Sequence, residues 1–258
     1  MKRNQRILVT GPGANNIGQQ SGGWTITWQG SGNVIADFPN GTSVYDGISQ
    51  VVSDGGGTII LSTDGTYSGS RPDAAIVVYG ETPYAEGAGD LSSLEYQSGS
   101  KTDLNILKSL KDQGIPIISI FLSGRPLWVN AEINASDAFI AAWLPGSEGI
   151  GIADVIFTNN EETVNYDFSG KLSFSWPNTP TQFNLNRYDE NYNPLFSYGF
   201  GLTYQDEDTL GDDLDESGSS DTNQPILHSI PGLIEAEDYS DMFGIQSETT
   251  NDDGGGLN

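Results

Sequence analysis

Short runs rich in Val, Ile and Leu and nearly free of charge recur along the first two thirds of this chain. They are RILVTG at 6–11, GTIILS at 57–62, AAIVVY at 74–79, IISIFL at 117–122 and AFIAAWL at 138–144. Each is too short for a buried helix and too apolar for a strand with one wet face. Such runs read as strands covered on both sides, the signature of a parallel sheet. Helical patterns fall between them. Residues 44–52 form one, and a second starts at Thr102 or Asp103 as N-cap with Leu104, Leu107 and Leu110 on one face. Gly114 closes that helix and Pro116 stops it. A third opens near Ser147, a candidate N-cap, with Glu148 favourable against the helix dipole, and runs to about Phe157. KLSFSW at 171–176 alternates like a half-exposed edge strand. The expectation is an α/β chain with a six-stranded, mostly parallel α/β/α sandwich.

At 258 residues the chain has room for one large domain or two smaller ones. Its charge is lopsided. The net charge is -25, and residues 206–258 hold fifteen of the 35 acids with no Lys or Arg, leaving -10 for residues 1–205. No basic footprint exists for nucleic acid or an anionic membrane, so neither is expected as a partner. Cysteine is absent, which removes disulfides and thiolate chemistry. The start, MKRNQRILVTG, is read as neither a signal peptide nor a membrane anchor.

Three loops carry chemistry-bearing residues. GPG at 11–13 follows the first strand and invites a dinucleotide reading. However, Asn16 occupies the third glycine position, no helical pattern is expected next, and no acidic strand end follows about twenty residues on. GGWTITWQG at 22–30 alternates Trp24, Ile26 and Trp28 with threonines, so an extended chain points both indoles the same way. Isolated tryptophans are commonly core, but flanking glycines favour a loop that presents its rings, and indole faces suit the C–H faces of sugars. GETPYAEGAGD at 80–90 follows the 74–79 strand and holds two glutamates where an α/β sheet presents ligand-binding loops. Glu81 follows the strand end, within reach of local backbone amides. Glu86 lies five residues farther out.

The 80–90 loop resembles the acid/base loop of glycoside hydrolase family 3, the β-glucosidases and exo-β-glucanases. In that family the proton donor is the glutamate after the Pro-Tyr pair, which implies Glu86 here. GGWTxxWQG resembles the loop whose second tryptophan forms one side of the sugar clamp, which implies Trp28, with Trp24 beside it as a further sugar contact. SGRP at 123–126, AAWLPGSEG at 141–149, GKLSFSWP at 170–177 and PLFSYGFGLTY at 194–204 match the same family in the same order. The resemblance covers nearly all of residues 5–204 and implies a six-stranded sandwich as the second domain of the enzyme. It also implies a β-glucan or β-glucoside substrate, no cofactor and no catalytic metal. The nucleophilic aspartate belongs to a (β/α)8 barrel that precedes the sandwich, so the sequence reads as a piece of a larger enzyme, periplasmic or secreted, inactive by itself.

Residues 205–225 (QDEDTLGDDLDESGSSDTNQP) are acidic and poor in apolar groups, and read as a flexible linker. They lack the spacing of a calcium loop. IEAEDY at 234–239 and GGGLN at 254–258 resemble the opening of a family 6-type carbohydrate-binding module, an incomplete β-sandwich segment over 226–258. In the complete module the EAE carboxylates, here Glu235 and Glu237, help hold a structural calcium. Two other classes fit parts of the chain. A non-catalytic sugar-binding domain keeps Trp28 but needs no Glu86, and a nucleotide-binding protein needs the GPG loop to hold phosphate.

Overall fold

The computed structural model describes residues 1–206 and 213–218. Five parallel strands form one sheet: β1 (Arg6–Thr10), β2 (Thr58–Leu61), β3 (Ala74–Gly80), β4 (Ile117–Leu122) and β5 (Ala138–Trp143), in the order β2-β1-β3-β4-β5. The five apolar runs became these strands for the reason the composition gives. All seven residues of β3 are buried, and the edge strands β2 and β5 are only partly so. Side chains alternate across the sheet. Ala75, Val77, Tyr79 and Phe121 enter one core with helix α3 (Thr102–Asp112) and helix α4 (Asn130–Asn134). Ile76, Val78, Ile120 and Leu122 enter the other with helix α2 (Val44–Asp54) and helix α5 (Gly149–Ile156). A short helix α1 (Ile17–Ser21) follows β1.

The expected sixth strand does not join the sheet. Residues 171–176 instead touch the segment 195–200. Leu172 N donates to Phe200 O (2.8 Å), and Trp176 N donates to Phe196 O (2.8 Å) as an isolated antiparallel bridge. Phe174 turns out of line to pack edge-on against Trp143, at 6.4 Å between ring centres, while Trp176 goes under the sheet against Phe121, Phe139 and Trp143. Aromatic packing thus uses the alternation that a ladder would have used.

Two caps also differ from expectation. Neither Thr102 nor Asp103 caps α3: Lys101 holds the N-cap position in the left-handed region (φ 47°). Gln97 Oε1 accepts from Asp103 N (3.0 Å), and the Asp103 carboxylate turns inward to Tyr96 Oη (2.6 Å) and Gln97 Nε2 (2.8 Å). At α5, Glu148 rather than Ser147 is the N-cap residue, and Thr42 Oγ1 takes the hydrogen bond from Ile150 N (3.2 Å). The α2 cap has the capping-box form, with Ser43 and Asp46 bonded reciprocally at 3.0 Å. The stretch expected to be linker includes residues 213–218, where Leu214 exchanges hydrogen bonds with the Asn134 side chain (2.9 and 3.0 Å). The rest of that linker, 207–212 and 219–225, lies outside the described residues, as does the expected carbohydrate-binding segment 226–258 with Glu235 and Glu237.

Phe121 is 1% exposed and meets Tyr79, Tyr96, Phe139 and Trp176. Truncation there leaves a cavity that four rigid rings cannot close. Phe121→Ala is expected to cost about 3–5 kcal/mol, read from denaturant unfolding.

A second expectation concerns α4. Glu132 is 1% exposed, and the Lys101 ammonium sits 3.5 Å from its Oε1. That ammonium is closer to Glu95 Oε1 (3.0 Å) and donates to Tyr96 O (2.7 Å). Burial pushes the Glu132 carboxyl above its ordinary 4.5, and Lys101 offsets that only in part. An acid whose folded value is raised binds its proton more tightly when folded. The stability this gives is present below the unfolded value and is lost as pH rises through the folded one. Glu132→Gln should therefore melt above wild type at neutral pH by on the order of a degree or a few. The gap should close on acidification toward about pH 4.5. A gap that widens on acidification rejects this account.

Candidate active site

A strand buried on both faces offers chemistry only at its ends. In this sheet the direction of strand addition reverses between β1 and β3: β2 lies outside β1 on one side, and β4 and β5 lie beyond β3 on the other. Open α/β sheets bind ligands beyond the carboxyl ends at such a reversal. Both loops singled out for sugar chemistry are there, one after β1 and α1, the other after β3.

The Trp loop is not extended. Trp24 and Ile26 lie in the left-handed region (φ 61° and 60°), rare for any residue with a Cβ and strained for a β-branched one. Trp24 N donates to Trp28 O (2.9 Å), pinching the loop shut, and Asn33 Nδ2 donates to Thr25 O (2.7 Å). The indoles share a side by this closure rather than by alternation. Their ring centres are 6.2 Å apart at 53°, and Trp24 and Trp28 are 67% and 56% exposed. These rings are presented to solvent and are not core.

Gln29 joins this loop to the acid loop. Its Oε1 accepts from Ala85 N (2.7 Å), and its Nε2 donates to Glu86 O (3.4 Å). The approach needs Gly23, where a Cβ would fall 1.8 Å from Tyr84 O. Glu86 is exposed, and among the described residues its carboxylate takes no hydrogen bond.

Glu81 has a different environment. The backbone does not hold its carboxylate, as the strand-end position led one to expect. Ser123 Oγ donates to Oε2 (2.7 Å), and the Arg125 guanidinium donates to Oε1 from Nε (3.0 Å) and Nη2 (2.7 Å). Arg125 also lies 4.4 Å from the Tyr84 ring centre and donates to Gly89 O. Burial first, and Glu81 next, push the Tyr84 phenol up to about 12, so it remains a neutral hydrogen-bonding group. Glu81 therefore braces the loop, and of its two glutamates Glu86 is the one left free. Sequence reasoning missed Gln29, Ser123 and Arg125 as supports. Each stood inside a quoted motif (WQG, SGRP), but nothing in a motif tells which loop a side chain reaches.

The GPG loop holds no open cradle. Gly13 N donates to Val78 O (2.9 Å), and a Cβ at Gly11 would fall 2.3 Å from that same oxygen. The glycines let β1 turn tightly over β3. A helix does follow, contrary to expectation, because Asn16 caps α1 by accepting from Gln19 N (3.0 Å). Gln19 then donates to Gly80 O (2.9 Å), at the root of the acid loop. Among the described residues no group of three or more His, Asp or Glu could hold a metal ion.

Known proteins resemble this chain over most of its described length. A crystallised exo-1,3/1,4-beta-glucanase from a Pseudoalteromonas species matches 85% of this chain at 55% identity, with a TM-score of 0.83. A lysosomal beta glucosidase of Dictyostelium discoideum is 32% identical over 222 residues, 78% of this chain. A periplasmic beta-glucosidase of Salmonella typhimurium is 28% identical over 145 residues, 45% of this chain and 18% of that protein. The chain spans 27% of the Pseudoalteromonas chain and 26% of the Dictyostelium protein, so it corresponds to about a quarter of each. The profile of the glycosyl hydrolase family 3 C-terminal domain matches residues 1–204, and the chain belongs to that family.

Proposed function

We propose that this chain is the proton-donor part of a retaining, exo-acting β-glucosidase or β-glucan exohydrolase that releases glucose from non-reducing ends. One observation carries the reading. The exposed glutamate of the β3 loop, Glu86, is tethered through Gln29 to two solvent-facing indoles at the reversal point of the sheet. The names of the relatives, beta-glucosidases and an exo-1,3/1,4-beta-glucanase, support the substrate class.

Retaining hydrolysis needs two carboxyl groups about 5 Å apart. On this reading Glu86 gives its proton to the glycosidic oxygen as the C–O bond breaks. An aspartate from a separate (β/α)8 barrel bonds to the anomeric carbon. Glu86, now a carboxylate, then takes a proton from the water that releases the glucose. Trp28 forms one wall of the sugar clamp, and Trp24 lies beside it. Residues 1–204 are the sandwich domain, 205–225 a linker, and 226–258 the start of a carbohydrate-binding module that holds a structural calcium when complete. The partners are β-glucan or β-glucoside and the barrel, with neither nucleic acid nor membrane. Among the described residues no helix is long and apolar enough to cross a membrane. The enzyme is periplasmic or secreted.

An acid matters most when the leaving group is poor. In the enzyme carrying this segment with its barrel, Glu86→Gln should slow hydrolysis of glucan oligosaccharides by roughly 10² to 10⁴-fold. The first step with a dinitrophenyl glucoside should be largely spared, and added azide should speed the second. Glu81→Gln should show no such leaving-group dependence, because it removes a brace for the whole loop. If Glu81→Gln carries the signature and Glu86→Gln does not, the assignment is wrong.

Trp28→Ala should weaken glucoside binding by roughly tenfold. Its melting temperature should hardly move, because the ring is 56% exposed. A loss of about 3–5 kcal/mol of stability with unchanged inhibitor affinity would return Trp28 to the core.

A further inference from the structure

A second concentration of aromatic faces lies on the other flank of the acid loop. The segment expected to be a sixth strand folds back on itself through Trp176 and Phe196 and leaves a groove of about 640 Å³, within the range of ligand clefts. Phe174, Phe183, Tyr188 and Tyr198 line it and are 59%, 44%, 83% and 50% exposed. The Arg187 guanidinium stands 4.6 Å from the Tyr188 ring centre and 4.7 Å from that of Tyr198. Ser173 and Asn186 add polar groups to the same wall.

Charge narrows what fits. The chain holds 35 Asp and Glu, yet among the described residues no side chain lining this groove is a carboxylate. The field of a chain at -25 opposes a polyanion. Ring faces that can stack, with an amide, a hydroxyl and a guanidinium to meet hydroxyls, suit a neutral polymer of sugar rings. The groove is also joined to the candidate site. Arg125 lines its edge and is the residue that braces Glu81 and lies over Tyr84. Gln29 connects the far side of the same loop to the tryptophan pair.

We propose that this groove binds a segment of neutral β-glucan chain, as a saccharide-contacting surface separate from Trp24 and Trp28. The proposal rests on the glycan reading of the site, since it takes the same polymer, but it needs no catalysis. Tyr188 is the main stacking face because it is the most exposed of the four rings.

Calorimetric titration of the 258-residue chain with laminarihexaose, and affinity electrophoresis through laminarin, test it directly. Wild type should bind the hexaose, and glucose should not displace it. Tyr188→Ala should weaken binding about tenfold, and Arg187→Ala should act in the same direction. Neither change should alter the melting temperature, given the exposure of Tyr188. In a Trp28→Ala background, which removes the clamp contact, Tyr188→Ala should still weaken hexaose binding about tenfold. Three results overturn the proposal: no hexaose binding by wild type, unchanged affinity in Tyr188→Ala, or a preference for polygalacturonate over laminarin. If Trp28→Ala abolishes binding and Tyr188→Ala spares it, the groove fails while the glycan reading stands. Failure of the glycan reading shows separately, as an enzyme carrying this segment with its barrel that hydrolyses neither β-glucans nor β-glucosides.

Discussion

Strand β3 is closed to solvent along its whole length, with every residue from Ala74 to Gly80 buried. A strand in that position can expose nothing until it leaves the sheet, so its chemistry must collect in the loop at its carboxyl end. The same burial fixes where that loop starts. Backbone hydrogen bonds to β4 continue past the strand, with Glu81 N donating to Leu122 O (2.9 Å). The loop therefore leaves from a rigid base beside the turn that holds Ser123 and Arg125, and the other features of the site are responses to that placement.

Two carboxylates five residues apart end in opposite conditions because only one meets a guanidinium. Arg125 gives Glu81 two charge-assisted hydrogen bonds, and Ser123 supplies a third. A carboxylate so satisfied has its oxygens committed to the base of the loop and acts as a strut. Tyr84 has the Arg125 guanidinium over its ring and its carbonyl against Gly23, and the next residues put Ala85 N on Gln29 and leave Glu86 exposed. The free glutamate is a product of the pairing of the other one.

Period and composition made the sheet legible. β-branched runs identify five strands because nothing else fits a doubly buried position, and Leu104, Leu107 and Leu110 mark α3 because they line one face. The failures share a cause. KLSFSW has the period of a strand, but period does not say which neighbour an alternating face will find, and here Trp176 found a cluster of rings. Local residue types point to N-caps at Thr102, Asp103 and Ser147, whereas Gln97 and Thr42 supply those bonds from outside the helix. Alternation places the tryptophans on one side of an extended chain. They do share a side, but through two left-handed residues and one closing hydrogen bond. Local rules describe one segment at a time, and each miss is a partner brought in by the fold.

That distinction bears on how the site is held. The Trp loop stores strain at Trp24 and Ile26, a cost of about 1–3 kcal/mol at each such residue. Strain persists only where surroundings over-determine it. Here Asn33, the Trp24–Trp28 hydrogen bond and the Gln29 contacts provide three independent restraints. A loop held this way can keep two large apolar rings in water without folding them onto the protein. The exposure of the indoles is thus maintained by the backbone, and a surface kept exposed against the hydrophobic effect is ready for a ligand with apolar faces. The groove beyond Arg125 keeps four aromatic rings partly exposed on the opposite flank of the same loop. Gln29 holds the Glu86 loop to one such surface, and Arg125, bonded to Glu81 and Gly89, holds it to the edge of the other.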